Sequence, residues 1–356
     1  MNRFDYVRPA TVAEAVAAAA APGAVYLAGG TNLLDLMKGG VMRPTRIVDI
    51  TRLDGLSRIE TLADGSTRVG ALMRNAALAS DETFSQRFPA VAEALLAGAS
   101  GQLRNMATVG GNLMQRTRCA YFQDLASACN KRDPGSGCAA RGGETRGHAV
   151  LGWSEHCIAT HASDFCVPLM ALDTVVEIIG PGGAREVPFA AFHLPPGTAP
   201  DRETALAPGE LITAIRLPAQ AASFAAHARY LKLRDRTSYA FALASAAAML
   251  RLDGGTIIEA RVALGGIATT PWRAHAAEAA LAGAAPGPEA FRRAAVAALD
   301  SAKPSGDNAP RIELARRVLA RALALAADGT PAKMPALPGS IFSQMNDVTA
   351  QDVTHG

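Results

Sequence analysis

Apolar and polar positions change their spacing several times along the chain, and each change marks an element. Thr11-Val12-Ala13-Glu14 is a capping box, in which a Thr and a Glu three residues on can each satisfy an amide left free at a helix start. The Ala-rich run that follows predicts a helix, and Pro22-Gly23 ends it. Ala24-Val25-Tyr26-Leu27 reads as a short apolar strand running straight into Ala28-Gly29-Gly30-Thr31-Asn32. Residues 33–37 resume helical spacing, Gly39-Gly40 closes it, and residues 46–50 and 67–70 read as further strands. A small α/β unit is thereby expected over residues 1–60.

A second unit is expected over residues 61–221. It holds a helix at 89–98, a turn at Thr108-Val109-Gly110-Gly111-Asn112, and a buried helix at 164–172. Apolar runs at 175–179 and 186–189 flank Gly180-Pro181-Gly182-Gly183, a hairpin signal. Residues 211–217 alternate as a strand does and stop at Pro218. A third unit, 222–328, shows strand patterns at 228–233, 242–252 and 257–264 and helical patterns at 274–282, 289–299 and 311–327. Residues 329–356 are polar and contain Pro, which predicts a tail with little structure.

Composition narrows the function classes. Of 356 residues 49% are hydrophobic and 19% charged, an ordinary globular balance with room for several cores. A net charge of +3, with no basic block interleaved with aromatics, excludes a nucleic-acid surface as the main theme. No apolar run approaches the roughly 20 residues that span a bilayer. The first residues, Met1-Asn2-Arg3-Phe4-Asp5-Tyr6, lack the pattern of a signal peptide, so cytoplasmic residence is the expectation. Thiols stay reduced there, which disfavours disulfides.

Two glycine turns carry candidate chemistry. In Ala28-Gly29-Gly30-Thr31-Asn32 the missing Cβ atoms allow a sharp turn that aims backbone amides at one point, ahead of a helix start that favours anions. Thr108 to Asn112 is a second turn of this kind. Neither matches the spaced dinucleotide fingerprint or the P-loop, and each alone can be a bare turn. Together they suggest a dinucleotide gripped from both sides.

Four of the five cysteines, Cys119, Cys129, Cys138 and Cys157, fall in one loop-like stretch beginning seven residues after Asn112. Residues 130–137 between them are turn formers. Four thiolates satisfy an iron–sulfur cubane or a tetrahedral zinc. The spacings of ten, nine and nineteen residues contain no Cys-x-x-Cys knuckle, which counts against zinc. His148 and His156 are alternative ligands, and Arg116, Arg118, Lys131 and Arg132 flank the thiols. Cys166 lies in an apolar run and reads as a small buried hydrophobe.

Ala28-Gly29-Gly30-Thr31-Asn32-Leu33, Thr108-Val109-Gly110-Gly111-Asn112 and His161-Ala162-Ser163-Asp164 resemble the FAD-binding subunit of the molybdenum hydroxylases, the xanthine dehydrogenase and molybdenum-type CO dehydrogenase family. Glu210-Leu211-Ile212 and Tyr230-Leu231-Lys232-Leu233-Arg234 fit the same pattern, so the resemblance runs from about residue 3 to residue 325. It implies an α+β fold: a two-subdomain FAD-binding unit of the vanillyl-alcohol-oxidase type, followed by a C-terminal domain of a small antiparallel sheet with helices. It also implies site roles. Tyr26-Leu27-Ala28-Gly29-Gly30-Thr31-Asn32-Leu33 would wrap the FAD pyrophosphate, with Thr108, Gly110, Gly111 and Asn112 as a second phosphate clamp. Asp164 would accept from ribityl or ribose hydroxyls, Ile212 would pack near the flavin ring, and Lys232 would approach its polar edge. Read alone, Asp164 is a helix N-terminal residue and Lys232 a solvated strand residue.

The cysteine stretch, residues 115–160, resembles the loop in flavin subunits of periplasmic aldehyde oxidoreductases, where it ligates a 4Fe–4S cluster. Cys129 to Cys138 and Ser154-Glu155-His156-Cys157 carry that match. The resemblance implies an electron-transfer subunit that passes electrons from a partner's 2Fe–2S clusters through FAD to an external acceptor. A large molybdopterin-binding partner would oxidise an aldehyde, and no catalytic residue is expected in this chain. It also implies a second route for location, co-export to the periplasm on a partner's twin-arginine signal. A stand-alone FAD oxidase of the vanillyl-alcohol type and a zinc-stabilised docking module are the rival readings.

Overall fold

The computed structural model describes residues 1–332, so most of the segment expected to be a tail lies outside the described residues. Strands β1 (Asp5–Val7), β2 (Ala24–Leu27) and β3 (Arg46–Asp49) form a parallel sheet in the order β1-β3-β2. The helix Val12–Ala19 crosses from β1 to β2, the two strands that flank β3, and its Ala15, Val16 and Ala19 pack with Val48 and Ile50. The cap differs from the capping box in one detail. Thr11 Oγ1 accepts from the Glu14 amide at 3.2 Å, but Glu14 reaches one residue further back, to the Ala10 amide at 2.8 Å.

Strands β4 (Ile59–Thr61), β5 (Thr67–Gly70), β6 (Val175–Gly180), β7 (Gly183–Pro188) and β8 (Leu211–Leu217) form an antiparallel sheet ordered β4-β5-β8-β6-β7. Between β5 and β6 the chain leaves this sheet and builds the helices and loops that carry the candidate chemistry. The helix expected at 89–98 is there as Pro89–Ala97, and three further short ones stand beside it: Asn75–Ser80, Glu82–Arg87 and Gly101–Met106. Local caps explain the division. Asp81 accepts from the Phe84 amide at 2.7 Å, Pro89 opens the next helix, and Ser100 caps the last.

Strands β9 (Ala228–Leu233), β10 (Ala244–Asp253), β11 (Thr256–Gly265) and β12 (Trp272–Arg273) make the last sheet, ordered β12-β11-β10-β9 and antiparallel throughout. Alternation along β10 joins two cores. Ala244, Ala246, Ala248 and Leu250 meet the helices Pro288–Ala298 and Pro310–Ala327, while Ala247 and Met249 join Phe165 and Leu169 in the central core. A strand buried on both faces is apolar at every position, as the run from Ala246 to Leu250 is.

Charge fastens this last unit to the rest. Glu93 accepts from Arg229 Nε at 2.9 Å and from the Tyr230 amide at 2.6 Å. Arg311, 5% exposed, donates to the carbonyls of Arg146, at 2.9 Å, Leu243, at 2.7 Å, and Gly266. Asn308 Nδ2 reaches His148 O at 3.0 Å beside it. Among the described residues no helix is long and apolar enough to cross a membrane.

Burial pulls the Arg311 pKa down to about 10, so the guanidinium stays charged at neutral pH and holds three part-buried carbonyls. Arg311→Leu is expected to lower the unfolding free energy by about 2–4 kcal/mol. Urea denaturation followed by circular dichroism measures this, and an unchanged midpoint would show that the carbonyls find other donors.

Candidate functional site: a nucleotide-sized cavity beside a thiol cluster

A cavity of about 500 Å³ opens between the parallel sheet and the central unit, within the range of small-molecule sites. Tyr26, Ala28 to Leu33, Thr108, Gly110, Gly111 and Ile212 line it. Leu27, Asn112, Asp164 and Lys232 lie outside that lining.

The first glycine turn is built to leave amides free. Gly30 has φ +71, which glycine adopts without strain, and a Cβ on Gly29 would stand 2.0 Å from Met106 O. Helical hydrogen bonding resumes only at the Leu34 amide, which donates to Gly30 O at 3.1 Å. Among the described residues nothing accepts from the amides of residues 29–33. Five amide donors turning into a helix at the wall of a cavity form an anion cradle, the donor set a pyrophosphate needs. The second turn is different. Val109 N donates to Met73 O at 2.9 Å, Gly110 N to Ala71 O at 2.8 Å and Gly111 N to Thr108 Oγ1 at 3.2 Å, so its amides are committed inside the protein. Its glycines bring the backbone close: a Cβ on Gly110 would press on Ala71 Cβ at 2.9 Å.

The outlying residues make internal contacts. Asp164 Oδ2 accepts from Lys232 Nζ at 2.7 Å and Oδ1 from the Tyr230 hydroxyl at 2.6 Å, with both charged side chains nearly sealed from solvent. Lys232 also reaches Ala97 O at 3.2 Å, so the pair joins β9 to the central unit. Asn112 Oδ1 accepts from Ser163 Oγ at 2.7 Å.

The far wall comes from residues 193–212, most of which carry no sequence signal. His193 and His161 stack edge to face with ring centroids 4.5 Å apart. Burial holds both imidazoles neutral, His193 with a pKa near 4 and His161 well below the ordinary value. His193 Nε2 donates to Leu113 O at 3.0 Å, which fixes its tautomer. Together with Cys166 these rings bring ligand atoms within 4.8 Å of one another, a spacing that no three of the four clustered thiols reach among the described residues. The Cys166 thiol is pushed up to about 12 by burial, as a core cysteine is.

The four clustered cysteines line one small second cavity. Cys129 and Cys138 face each other across a tight hairpin held by Asn130 N to Gly137 O at 2.7 Å and Gly137 N to Asn130 Oδ1 at 2.8 Å. Gly135 and Gly137, at φ +89 and +99, make that return. Cys157 sits in a turn closed on Ser154, and Cys119 caps the short helix Ala120–Gln123. Arg132 ties the loop together by donating to the carbonyls of Tyr121, Phe122 and Ser127. None of the five cysteines is joined in a disulfide. Burial pushes the Cys119 thiol up to about 11 and raises that of Cys157 against the pull of Lys131, so a ligated ion or cluster would have to displace protons.

The two cavities share a wall, because Lys131, Cys157 and Ala159 line both. Glu203 fixes that wall. It accepts from Arg116 Nε at 2.6 Å and Lys131 Nζ at 2.7 Å, joining the start and the middle of the cysteine segment to the loop over the larger cavity. Burial opposes its ionisation, but Lys131 and Arg116 outweigh burial and hold its pKa below the ordinary carboxylate value. A depressed carboxylate pKa gives stability that is present above the unfolded value and lost as pH falls through the folded one. Glu203→Gln is therefore expected to lower stability by about 1–3 kcal/mol at pH 7. The gap to the wild type should close in acid, as read by thermal unfolding across pH; a gap that persists unchanged at low pH would contradict the ion-pair account.

Residues 2–220 match the family described as the FAD binding domain in molybdopterin dehydrogenase. Residues 229–326 match the CO dehydrogenase flavoprotein C-terminal domain. The chain is 51% identical to the aldehyde oxidoreductase FAD-binding subunit PaoB of Escherichia coli over 91% of this chain and 98% of that one. It is 31% identical to the carbon monoxide dehydrogenase medium chain of Hydrogenophaga pseudoflava, over 90% and 96%. The solved CO dehydrogenase of Oligotropha carboxidovorans has a chain that superposes with a TM-score of 0.72 at 27% identity, covering 92% of this chain and 99% of that one. The α+β architecture, the C-terminal antiparallel sheet and these matches agree: the chain belongs to the FAD-binding medium subunits of the molybdenum hydroxylase family.

Proposed function

We propose that the chain is the FAD- and 4Fe–4S-bearing electron-transfer subunit of a molybdenum-dependent aldehyde oxidoreductase. It would work with a molybdopterin-binding large subunit and a 2Fe–2S small subunit. The observation that carries this reading is the shared wall, where Cys157 and Lys131 face both the nucleotide-sized cavity and the pocket of four thiols. Two redox groups held this close can exchange electrons without a mobile carrier.

Each set of residues has a part. The amides of residues 29–33 would hold the FAD pyrophosphate, and Thr108, Gly110 and Gly111 would shape the opposite side by close backbone approach. Ile212 would lie against the flavin. Asp164, Lys232 and Asn112 would act one step back, as the frame that fixes the walls. The FAD supplies the electron chemistry when bound, and the protein sets its position and surroundings. Cys119, Cys129, Cys138 and Cys157 would ligate the cluster. Sulfurs around one tetrahedral zinc lie about 3.8 Å apart, given Zn–S distances near 2.3 Å. Thiols that share a pocket while no three of them lie within 4.8 Å of one another favour a ligand with one metal per sulfur, as a cubane provides.

Two outcomes test the reading. Cys138→Ser should lose about four irons per chain, as a cubane contains, and keep its FAD; iron and flavin assays on the purified protein measure both, and unchanged iron would remove the cluster assignment. Gly29→Ala should cut the FAD-to-protein ratio about tenfold or more, since the backbone must move to free the new Cβ from Met106 O. Full flavin occupancy in that variant would show that the first loop does not hold the cofactor.

A further inference from the structure

We propose that His148 is a positioning residue that sets the reduction potential of the cluster by donating Nε2–H to the sulfur of Cys119. This rests on the assignment of a 4Fe–4S cluster to the four thiols, and goes beyond it by giving one side chain control of the cluster's electron affinity. His148 Nε2 stands 3.2 Å from Cys119 Sγ, and the residue is 6% exposed. A sulfur that ligates iron is a thiolate without a proton, so the hydrogen bond can run only from the imidazole.

The surroundings select the same tautomer. Among the described residues the buried Nδ1 has no partner, so a proton there would be an orphaned donor. Placing the proton on Nε2 leaves Nδ1 with a lone pair only, the less costly orphan, and supplies the donor that the sulfur needs.

The ring is held, not loosely placed. The His148 amide donates to Thr145 O at 2.9 Å and its carbonyl accepts from Asn308 Nδ2 at 3.0 Å. Thr145 Oγ1 accepts from the Asp307 amide at 2.7 Å, and the Ala149 amide donates to Ile158 O at 2.9 Å, next to Cys157. Tyr121 flanks the imidazole with ring centroids 6.1 Å apart. The C-terminal domain, through Asn308, thus steadies a histidine of the cysteine segment whose one N–H meets a ligand of that same segment. Reduction adds an electron that the cluster spreads over its sulfurs, so a fixed donor stabilises the reduced form more than the oxidised one and raises the potential.

The test is a redox titration of the one-electron cluster couple, with dithionite as reductant and ferricyanide as oxidant, followed by electron paramagnetic resonance on the full-length chain in its purified complex. His148→Phe keeps the ring and removes the N–H; His148→Gln keeps a donor. At a fixed poise, His148→Phe should show a reduced-to-oxidised cluster ratio about tenfold below the wild type, a shift of about 59 mV for one electron, with iron retained, and His148→Gln should restore the wild-type ratio. An unchanged ratio in an iron-retaining His148→Phe overturns the proposal. If His148→Phe sheds iron, His148→Gln decides alone: the wild-type ratio upholds the donor role, and a tenfold loss overturns it. A wild-type complex without a 4Fe–4S signal would instead end the cluster assignment itself, and with it this proposal, before any variant is read.

Discussion

The carboxylate of Glu203 is the contact on which the arrangement of the site depends. Arg116 leaves the second glycine turn and Lys131 sits between the second and third clustered cysteines, yet both converge on this one group at 2.6 and 2.7 Å. A surface pair of this kind is worth little, but two cations sharing a largely buried carboxylate fix a geometry. The consequence is spatial. The cysteine segment, which could have projected as an independent loop, lies flat against the nucleotide cavity, and Cys157 becomes part of the wall.

The C-terminal domain completes the constraint from the other side. Arg311 donates to Arg146 O, Asn308 to the carbonyls of His148 and Ala149, and Lys303 N to Val150 O at 2.8 Å, so the stretch before Cys157 is pinned by a unit that does not line the cysteine pocket. Asp164, Lys232 and Tyr230 make a second seam between the same units. The site is therefore assembled by three parts of the chain, none of which holds it alone. This accounts for the choice of charged and amide side chains at buried seams, where apolar contacts would pack as well but would specify position less.

Much of this was legible in the sequence because the signals are local. A Gly-Gly pair between a strand and a helix reads directly as an amide cradle, and at Gly29 and Gly30 the fold uses it so. Four cysteines in a run of turn formers read as one cluster, and they line one pocket. The hairpin at Gly180 to Gly183 and the long strand β10 follow from turn chemistry and unbroken apolarity. What was not legible depends on pairing across distance. Glu203 and His193 are single polar residues in an irregular stretch, and nothing nearby announces that they meet Arg116, Lys131 or His161. The similar glycine turn at Thr108 differs from the first in its free amides because Met73 and Ala71, far away in sequence, take them. Asp164 and Lys232 carry motif-like signals, but their mutual ion pair shows only in three dimensions.

The central claim is that a flavin site and an iron–sulfur site share one wall of this subunit. Diffraction from crystals of the purified complex, recorded on both sides of the iron absorption edge, tests it most directly. The account predicts an iron anomalous peak inside the pocket of Cys119, Cys129, Cys138 and Cys157, with FAD density against the other face of Cys157 and Lys131. A zinc signal without iron in that pocket, or flavin density away from the cradle at residues 29–33, would contradict it.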